Sequence, residues 1–221
     1  MSAPITRPAV RLLARAVVRL LTRTTVVGRE HVPQSGPLLV TFNHLGHLDA
    51  AVLIATLPLD MDAIALSDLL RVPVTGQILR LYGVIAVHRD MFDRAVVEQT
   101  LGVLAQGRAI ILAPESRMSV TGALERARGG AAYLALKSGA KILPVALTGT
   151  ANQSIYGAWK QRRRPRLTIT IGEPYALPAL PLSGQERKQS LADASTMIMT
   201  RIAALLPPDY RGVYADRMLP E

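Results

Sequence analysis

The chain has 221 residues, enough for one α/β domain with a sizeable core. It holds no cysteine, which excludes disulfides, a thiolate nucleophile and cysteine metal sites. Its 26 Lys and Arg against 16 Asp and Glu leave a charge of +10 that points to a polyanionic partner, while aromatics at 4% are too few for the stacking platforms of single-strand and RNA binders.

Residues 4–24 read as a helix. Arg7, Arg11, Arg15, Arg19 and Arg23 recur every four residues, with Val10, Leu12, Leu13, Val17, Leu20 and Leu21 between them. Four-residue steps drift about 40° per turn, so the arginines form a slowly winding basic stripe. Such a helix suits a membrane interface, cations toward lipid phosphates and apolar face inward. A helix packed on the domain with a solvated basic face is the competing reading. A transit peptide has the same composition, whereas arginine this regular breaks a signal-peptide core. No apolar run approaches the roughly 20 residues that a bilayer span needs. The longest, Ala50 to Leu59, is interrupted by Thr56 and Pro58.

Val26–Val32 is predicted as a first strand with a turn at Gly28, and Leu38–Phe42 as a buried one. A helix follows over Ala50–Leu57, a short strand over Met61–Leu66, and broken helix and loop over Leu69–Tyr82. Gly83–Val87 is a strand ending in His88-Arg89-Asp90. Phe92–Gln106 is a helix stopped by Gly107. Ala109–Leu112 is a strand ending in Pro114-Glu115-Ser116-Arg117, and Glu125–Ser138 a helix closed by Gly139. Lys141–Leu147 is a strand whose Pro144 suggests an edge or a bulge. Trp159–Arg166 carries five cations, which suit a solvated loop or anionic lipid. Leu167–Gly172 is a strand, and Gln185–Leu206 a helix ended by Pro207-Pro208. Neither a repeat nor a composition break divides the chain. The expected organisation is a membrane-associating helix over 1–24, one domain over 25–206 and a tail over 207–221.

The sharpest chemistry lies at residues 43–49. An apolar run ends at Asn43, His44 follows, and a carboxylate arrives at Asp49. A continuous helix would set residues five apart well round its axis. The two meet only if the chain bends through Leu45–Leu48, which Gly46 eases. Asp49 then falls near the start of the next helix, where backbone N–H groups and the dipole favour its ionised form. A carboxylate beside an imidazole fixes its tautomer and makes it a general base for a hydroxyl proton. Turn chemistry for the pair, with Asp49 as a helix cap, is the plainer alternative. Arg89 can fork onto a phosphate, while a surface pair with Asp90 or Asp93 is the plainer reading of that residue alone.

Three apolar strands thus end in Asn43/His44/Asp49, Arg89, and Glu115/Arg117. A mixed, largely parallel sheet flanked by helices brings those ends to one side. In this pattern the sequence resembles the glycerolipid acyltransferase family. Asn43-His44-Leu45-Gly46-His47-Leu48-Asp49 resembles its first block, histidine, four residues, aspartate. Gly83-Val84-Ile85-Ala86-Val87-His88-Arg89 resembles the second, Pro114-Glu115-Ser116-Arg117 the third, and Ile142-Leu143-Pro144-Val145 the fourth. Ser116 stands where the family usually has glycine, and Gly46 where it often has serine.

The resemblance implies a membrane-associated O-acyltransferase. It would move an acyl group from acyl-CoA or acyl-carrier protein directly to a lysophospholipid hydroxyl, most typically that of 1-acyl-sn-glycerol-3-phosphate. His44 would be the base and Asp49 its orienting partner. Arg89 would hold the acceptor phosphate, and Gly83, Glu115, Ser116 and Arg117 would form or organise the acceptor pocket. It implies no metal and no cofactor beyond the donor, an anionic membrane surface as partner, no nucleic acid, and a peripheral or monotopic place on the cytoplasmic face of the cell membrane. Acylation of another lysolipid or glycolipid hydroxyl, or non-catalytic lipid binding, are the alternatives.

Overall fold

Side chains on successive strand residues point to opposite faces of a sheet, and here both faces are buried. Along Leu38–Phe42, Leu38, Val40 and Phe42 enter one apolar core and Leu39 the other. Ala109 and Ile111 likewise oppose Ile110, and Leu143, Val145 and Leu147 oppose Ile142 and Ala146. Near-continuous apolar strands of this kind belong to sheets covered by helices on both sides. The computed structural model, which describes residues 4–88, 94–181 and 184–217, has that architecture.

The elements in chain order are α1 (Arg7–Leu21), β1 (Arg23–Val27), β2 (Leu38–Phe42), α2 (Asp49–Thr56), β3 (Met61–Leu66), α3 (Thr75–Tyr82) and β4 (Ile85–Val87). There follow α4 (Arg94–Ala105), β5 (Ala109–Leu112), α5 (Gly130–Ser138), β6 (Lys141–Thr148), α6 (Asn152–Lys160), β7 (Arg166–Ile171) and α7 (Arg187–Ala204). The strands form one sheet in the order β1-β7-β6-β2-β5-β3-β4. From β6 to β4 all neighbours are parallel, β7 is antiparallel to β6, and β1 is parallel to β7. The mixed, largely parallel α/β sheet expected from the sequence is therefore observed. The core of one face takes residues from α2, α3 and α6, and that of the other from α4, α5 and α7.

Pro144 does not mark an edge, because β6 lies third in the sheet. Its carbonyl accepts the Gly172 amide at 2.9 Å, just beyond the end of β7. Ile142 exchanges backbone bonds with Tyr175 further along the same side. A residue's N and C=O point to the same neighbour, so the proline nitrogen faces the gap where β7 has run out. No ladder donor is lost there.

The N-terminal helix lies the other way round from a membrane helix with lipid-facing arginines. Arg7 is 2% exposed; its guanidinium meets Asp62 at 2.8 Å and donates to the Tyr82 carbonyl. Asp62 also pairs with Arg108 at 2.5 Å. Arg11 donates to Leu57 O and Arg15 to Ala55 O, at the carboxyl end of α2, where the helix dipole favours cations. Arg7, Arg11 and Arg15 thus form the edge that docks α1, while Arg19 and Arg23 stay exposed. Leu12, Leu13 and Leu20 point outward, 60–72% exposed. Arg164, from the basic run after α6, bonds the Arg19 and Thr22 carbonyls at the end of α1. Among the described residues no helix is long and apolar enough to cross a membrane.

Three boundaries also differ from the sequence reading. Val27 ends β1, and Arg29–His31 turns into a short 3-10 helix. The fifth helix starts at Gly130 and not Glu125, because the amides of Glu125 and Arg128 are taken by Glu115 and by Pro114 O. The stretch after Pro207 forms two 3-10 turns with Tyr214 buried, so it is packed back onto the domain.

Candidate active site

Ligands in open α/β sheets lie beyond the carboxyl ends of the strands. The loop between β2 and α2 emerges there and is held at nearly every residue. Asn43 is 1% exposed, and its side chain spans to β6, donating to Leu147 O at 2.9 Å and accepting Leu147 N at 2.7 Å. Asp49 is the first residue of α2 and is fully buried. Its Oδ2 accepts the Leu45 amide at 2.6 Å and the Gly46 amide at 2.8 Å, and lies 2.8 Å from His44 Nδ1. The carboxylate thus organises the loop before it. His47 N donates to Asn152 Oδ1 at 3.0 Å. The amides of Leu45, Gly46 and His47 are all engaged within the protein.

This geometry distinguishes the two imidazoles of the motif. His44 has Nδ1 on Asp49, so its Nε2 is the nitrogen left for a partner, and its side chain is 26% exposed. Phe42 meets the ring edge-on with centroids 5.8 Å apart. His47 is exposed, and the carboxylate two residues after it belongs to His44.

Gly46 is required by close approach. A Cβ there would stand 2.3 Å from the Thr150 carbonyl oxygen and 3.0 Å from Asn152 Oδ1. A serine at this position would have no room.

Glu115 sits beyond the end of β5, next to β2 in the sheet, and is 2% exposed. Its Oε1 accepts the His44 amide at 3.0 Å and its Oε2 the Glu125 amide at 2.8 Å. Burial pushes its carboxyl above the usual carboxylate range, while those two amides pull the other way. His44 is held from its other side too, where Ser119 N donates to His44 O at 2.7 Å. Arg117 is exposed and clasps Glu125 at 2.5–2.8 Å. Glu125 also accepts the Val120 amide; these bonds hold its carboxyl below the usual range, that amide foremost. Ser116 takes a left-handed conformation at φ 58°, where glycine is the easy residue, with its side chain exposed.

Gly83 closes α3 at φ 79°, donating to Leu79 O and Arg80 O. A Cβ there would lie 2.4 Å from Pro4 Cγ, so the N-terminal segment packs against it. Arg89 lies outside the described residues. Sequence reasoning passed over Ser119, Glu125 and Asn152. Asn152 alone carried a signal, as an amide side chain opening a helix just after a buried strand. An apolar cavity of about 120 Å³ lies beside the loop, between α1, α2 and α6. Val17, Leu21, Leu48, Val52, Ile155 and Trp159 line it, and Leu48 directly precedes Asp49.

Comparison with known proteins places this geometry. A family model described as Acyltransferase matches residues 23–148, from the start of β1 to the end of β6. The chain is 31% identical over 129 residues to a protein of Borreliella burgdorferi named 1-acyl-sn-glycerol-3-phosphate acyltransferase; the match covers 58% of this chain and 52% of that one. A protein of the same name from Chlamydomonas reinhardtii is 27% identical over 204 residues, 90% of this chain and 57% of its own. The chain therefore spans about half the length of these curated relatives. The solved structure of the 1-acyl-sn-glycerophosphate (LPA) acyltransferase from Thermotoga maritima shares the fold. Its TM-score is 0.63 at 20% identity, over 86% of this chain and 77% of that one. The matched segment carries the imidazole–carboxylate pair and the strands that present it, and the chain belongs to the acyltransferase family.

Proposed function

We propose that the chain is an O-acyltransferase that moves a fatty acyl group from acyl-CoA or acyl-carrier protein to the free hydroxyl of 1-acyl-sn-glycerol-3-phosphate. The observation that carries this reading is the 2.8 Å contact between His44 Nδ1 and a fully buried Asp49, which leaves Nε2 as the basic nitrogen. In the proposed step, Nε2 takes the hydroxyl proton as the acceptor oxygen attacks the thioester carbonyl. The tetrahedral intermediate collapses with cleavage of the C–S bond. The departing thiolate recovers the proton from the imidazolium, which gives ester and free thiol. No acyl-enzyme forms, and the step uses neither metal nor cofactor beyond the donor.

The names of the relatives support the acceptor. The basic residues Arg89 and Arg117 suit its phosphate, with Glu115 and Ser116 shaping the pocket; Gly83, packed on Pro4 at the amino end of β4, lies away from it. The apolar cavity next to Leu48 suits part of an acyl chain. Contact with the cytoplasmic face of an anionic membrane is proposed through the outward leucines of α1. Exposed Arg19, Arg23, Lys160 and Arg162 lie at and beyond its carboxyl end, and Trp159 Nε1–H donates to Leu21 O there.

The test is purified protein with palmitoyl-CoA and a panel of lysolipids, followed by thiol release and product mass. Phosphatidic acid formed by the native protein, and lost in His44→Ala, is the expected result. Thiol release with none of the lysolipids, or equal release by His44→Ala, would remove the proposal.

A further inference from the structure

Residues 206–214 lie against the loop that carries Glu115 and Arg117. Their contacts are with backbone. Leu124 N donates to Tyr210 O at 2.9 Å, and Val213 N to Leu124 O at 3.2 Å. Ala127 N donates to the Tyr214 hydroxyl at 3.2 Å. Gly212 has φ 50°, and a Cβ on it would stand 2.1 Å from Leu124 O. Leu124, Leu206 and Tyr214 are buried together in one core. The segment thus grips the loop on both sides of Glu125.

Glu125 is where that grip meets the candidate site. Its amide donates to Glu115 Oε2 at 2.8 Å, and the other oxygen of Glu115 takes the His44 amide at 3.0 Å. Its side chain holds Arg117 and the Val120 amide. One residue earlier in that turn, Ser119 N bonds His44 O. Every link is a backbone or charge-assisted hydrogen bond. We propose that Gly212 and Tyr214 are positioning residues: they fix residues 119–127, and through Glu115 and Ser119 they set where the His44 backbone, and so its imidazole, stands. The inference rests on the reading of His44 as the general base. Reacting groups tolerate little displacement, so a small shift of this loop is felt in turnover.

Two variants of the full chain test it. Tyr214→Phe keeps the ring and removes the hydroxyl that accepts Ala127 N. Gly212→Ala places a methyl against Leu124 O. Amide exchange is read at His44, Ser119, Glu125 and Ala127, with Ile110 and Leu143 in the central strands as controls. The expected result is exchange at least tenfold faster at the first four amides and unchanged at the controls. Global destabilisation would instead move all of them together. With palmitoyl-CoA and the preferred lysolipid, kcat should fall about tenfold in both variants while KM for the donor stays within twofold. Native exchange at His44 and Glu125 in both variants, or native kcat despite a loosened loop, would overturn the assignment. Absence of acyl transfer by the native protein would count against the proposed function; the exchange result would still report on the brace.

Discussion

The carboxylate of Glu115 accepts the backbone amide of His44 at 3.0 Å, across 71 residues of sequence, and accepts Glu125 N with its other oxygen. Two acceptors facing two N–H donors are met best by the ionised form. An amide turns a donor toward one of them, and a protonated carboxyl accepts more weakly.

Glu115 therefore links acidity to both stability and activity. Its folded carboxyl lies above the ordinary value of about 4.3 because it is buried. Between the two values the native state holds more proton than the unfolded chain, so its contribution to stability falls as pH rises through that window and then levels off. Over the same window turnover should rise, as the carboxylate takes up both amides. Stability of the native protein relative to Glu115→Gln, followed by denaturant titration from pH 4 upward, checks the sign. A flat difference would refute it.

Asp49→Asn preserves shape but removes the charge from the one oxygen on which three donors converge. If its carbonyl oxygen keeps the Leu45 and Gly46 amides, the ring orientation and tautomer of His44 lose their carboxylate. Acyl transfer should fall about 10²–10⁴-fold, the range of a lost general base. A variant that folds and retains most of its kcat would show that the pair is a turn device.

Gly46→Ala must move the Thr150 carbonyl, 2.3 Å from the new methyl. The expected cost is roughly 1–3 kcal/mol by thermal unfolding, in the range of overpacked cores. A greater loss of kcat than of stability would mark its effect on the His44 loop.

Ser116→Gly should stabilise the protein. Relief of a left-handed residue gains about 1–2 kcal/mol, offset by roughly 0.5–1 kcal/mol of chain entropy. A higher melting temperature is expected. Changed relative turnover across lysolipids would show that the exposed hydroxyl also selects the acceptor.

Arg7→Ala leaves Asp62 with Arg108 alone and strips the Tyr82 carbonyl of its donor. Asp62 stays compensated by Arg108, so the expected cost is that of an unmet buried acceptor, roughly 1–3 kcal/mol. Proteolysis of α1 in the native state should accelerate. A cleavage rate equal to that of the native protein would show that α1 is held by its apolar contacts.

The sequence could determine what depends on neighbours along the chain. The near-continuous apolar runs of Leu38–Phe42 and Lys141–Leu147 report buried strands, and the order of strands and helices implies a largely parallel sheet. The interval between His44 and Asp49 is itself local, so their pairing was legible from the bend that Gly46 permits. Orientation was not legible. Five arginines at four-residue intervals define one stripe, but Asp62 and the α2 carbonyls, which draw Arg7, Arg11 and Arg15 to the domain, come from elsewhere in the chain. Pro144 could be placed inside the sheet only once β7 was seen to stop beside it. Glu115 as the prop of His44, and the closing segment gripping Leu124, belong to tertiary structure for the same reason. They are hydrogen bonds between backbone and distant groups, and a backbone amide carries no residue identity for a sequence to display.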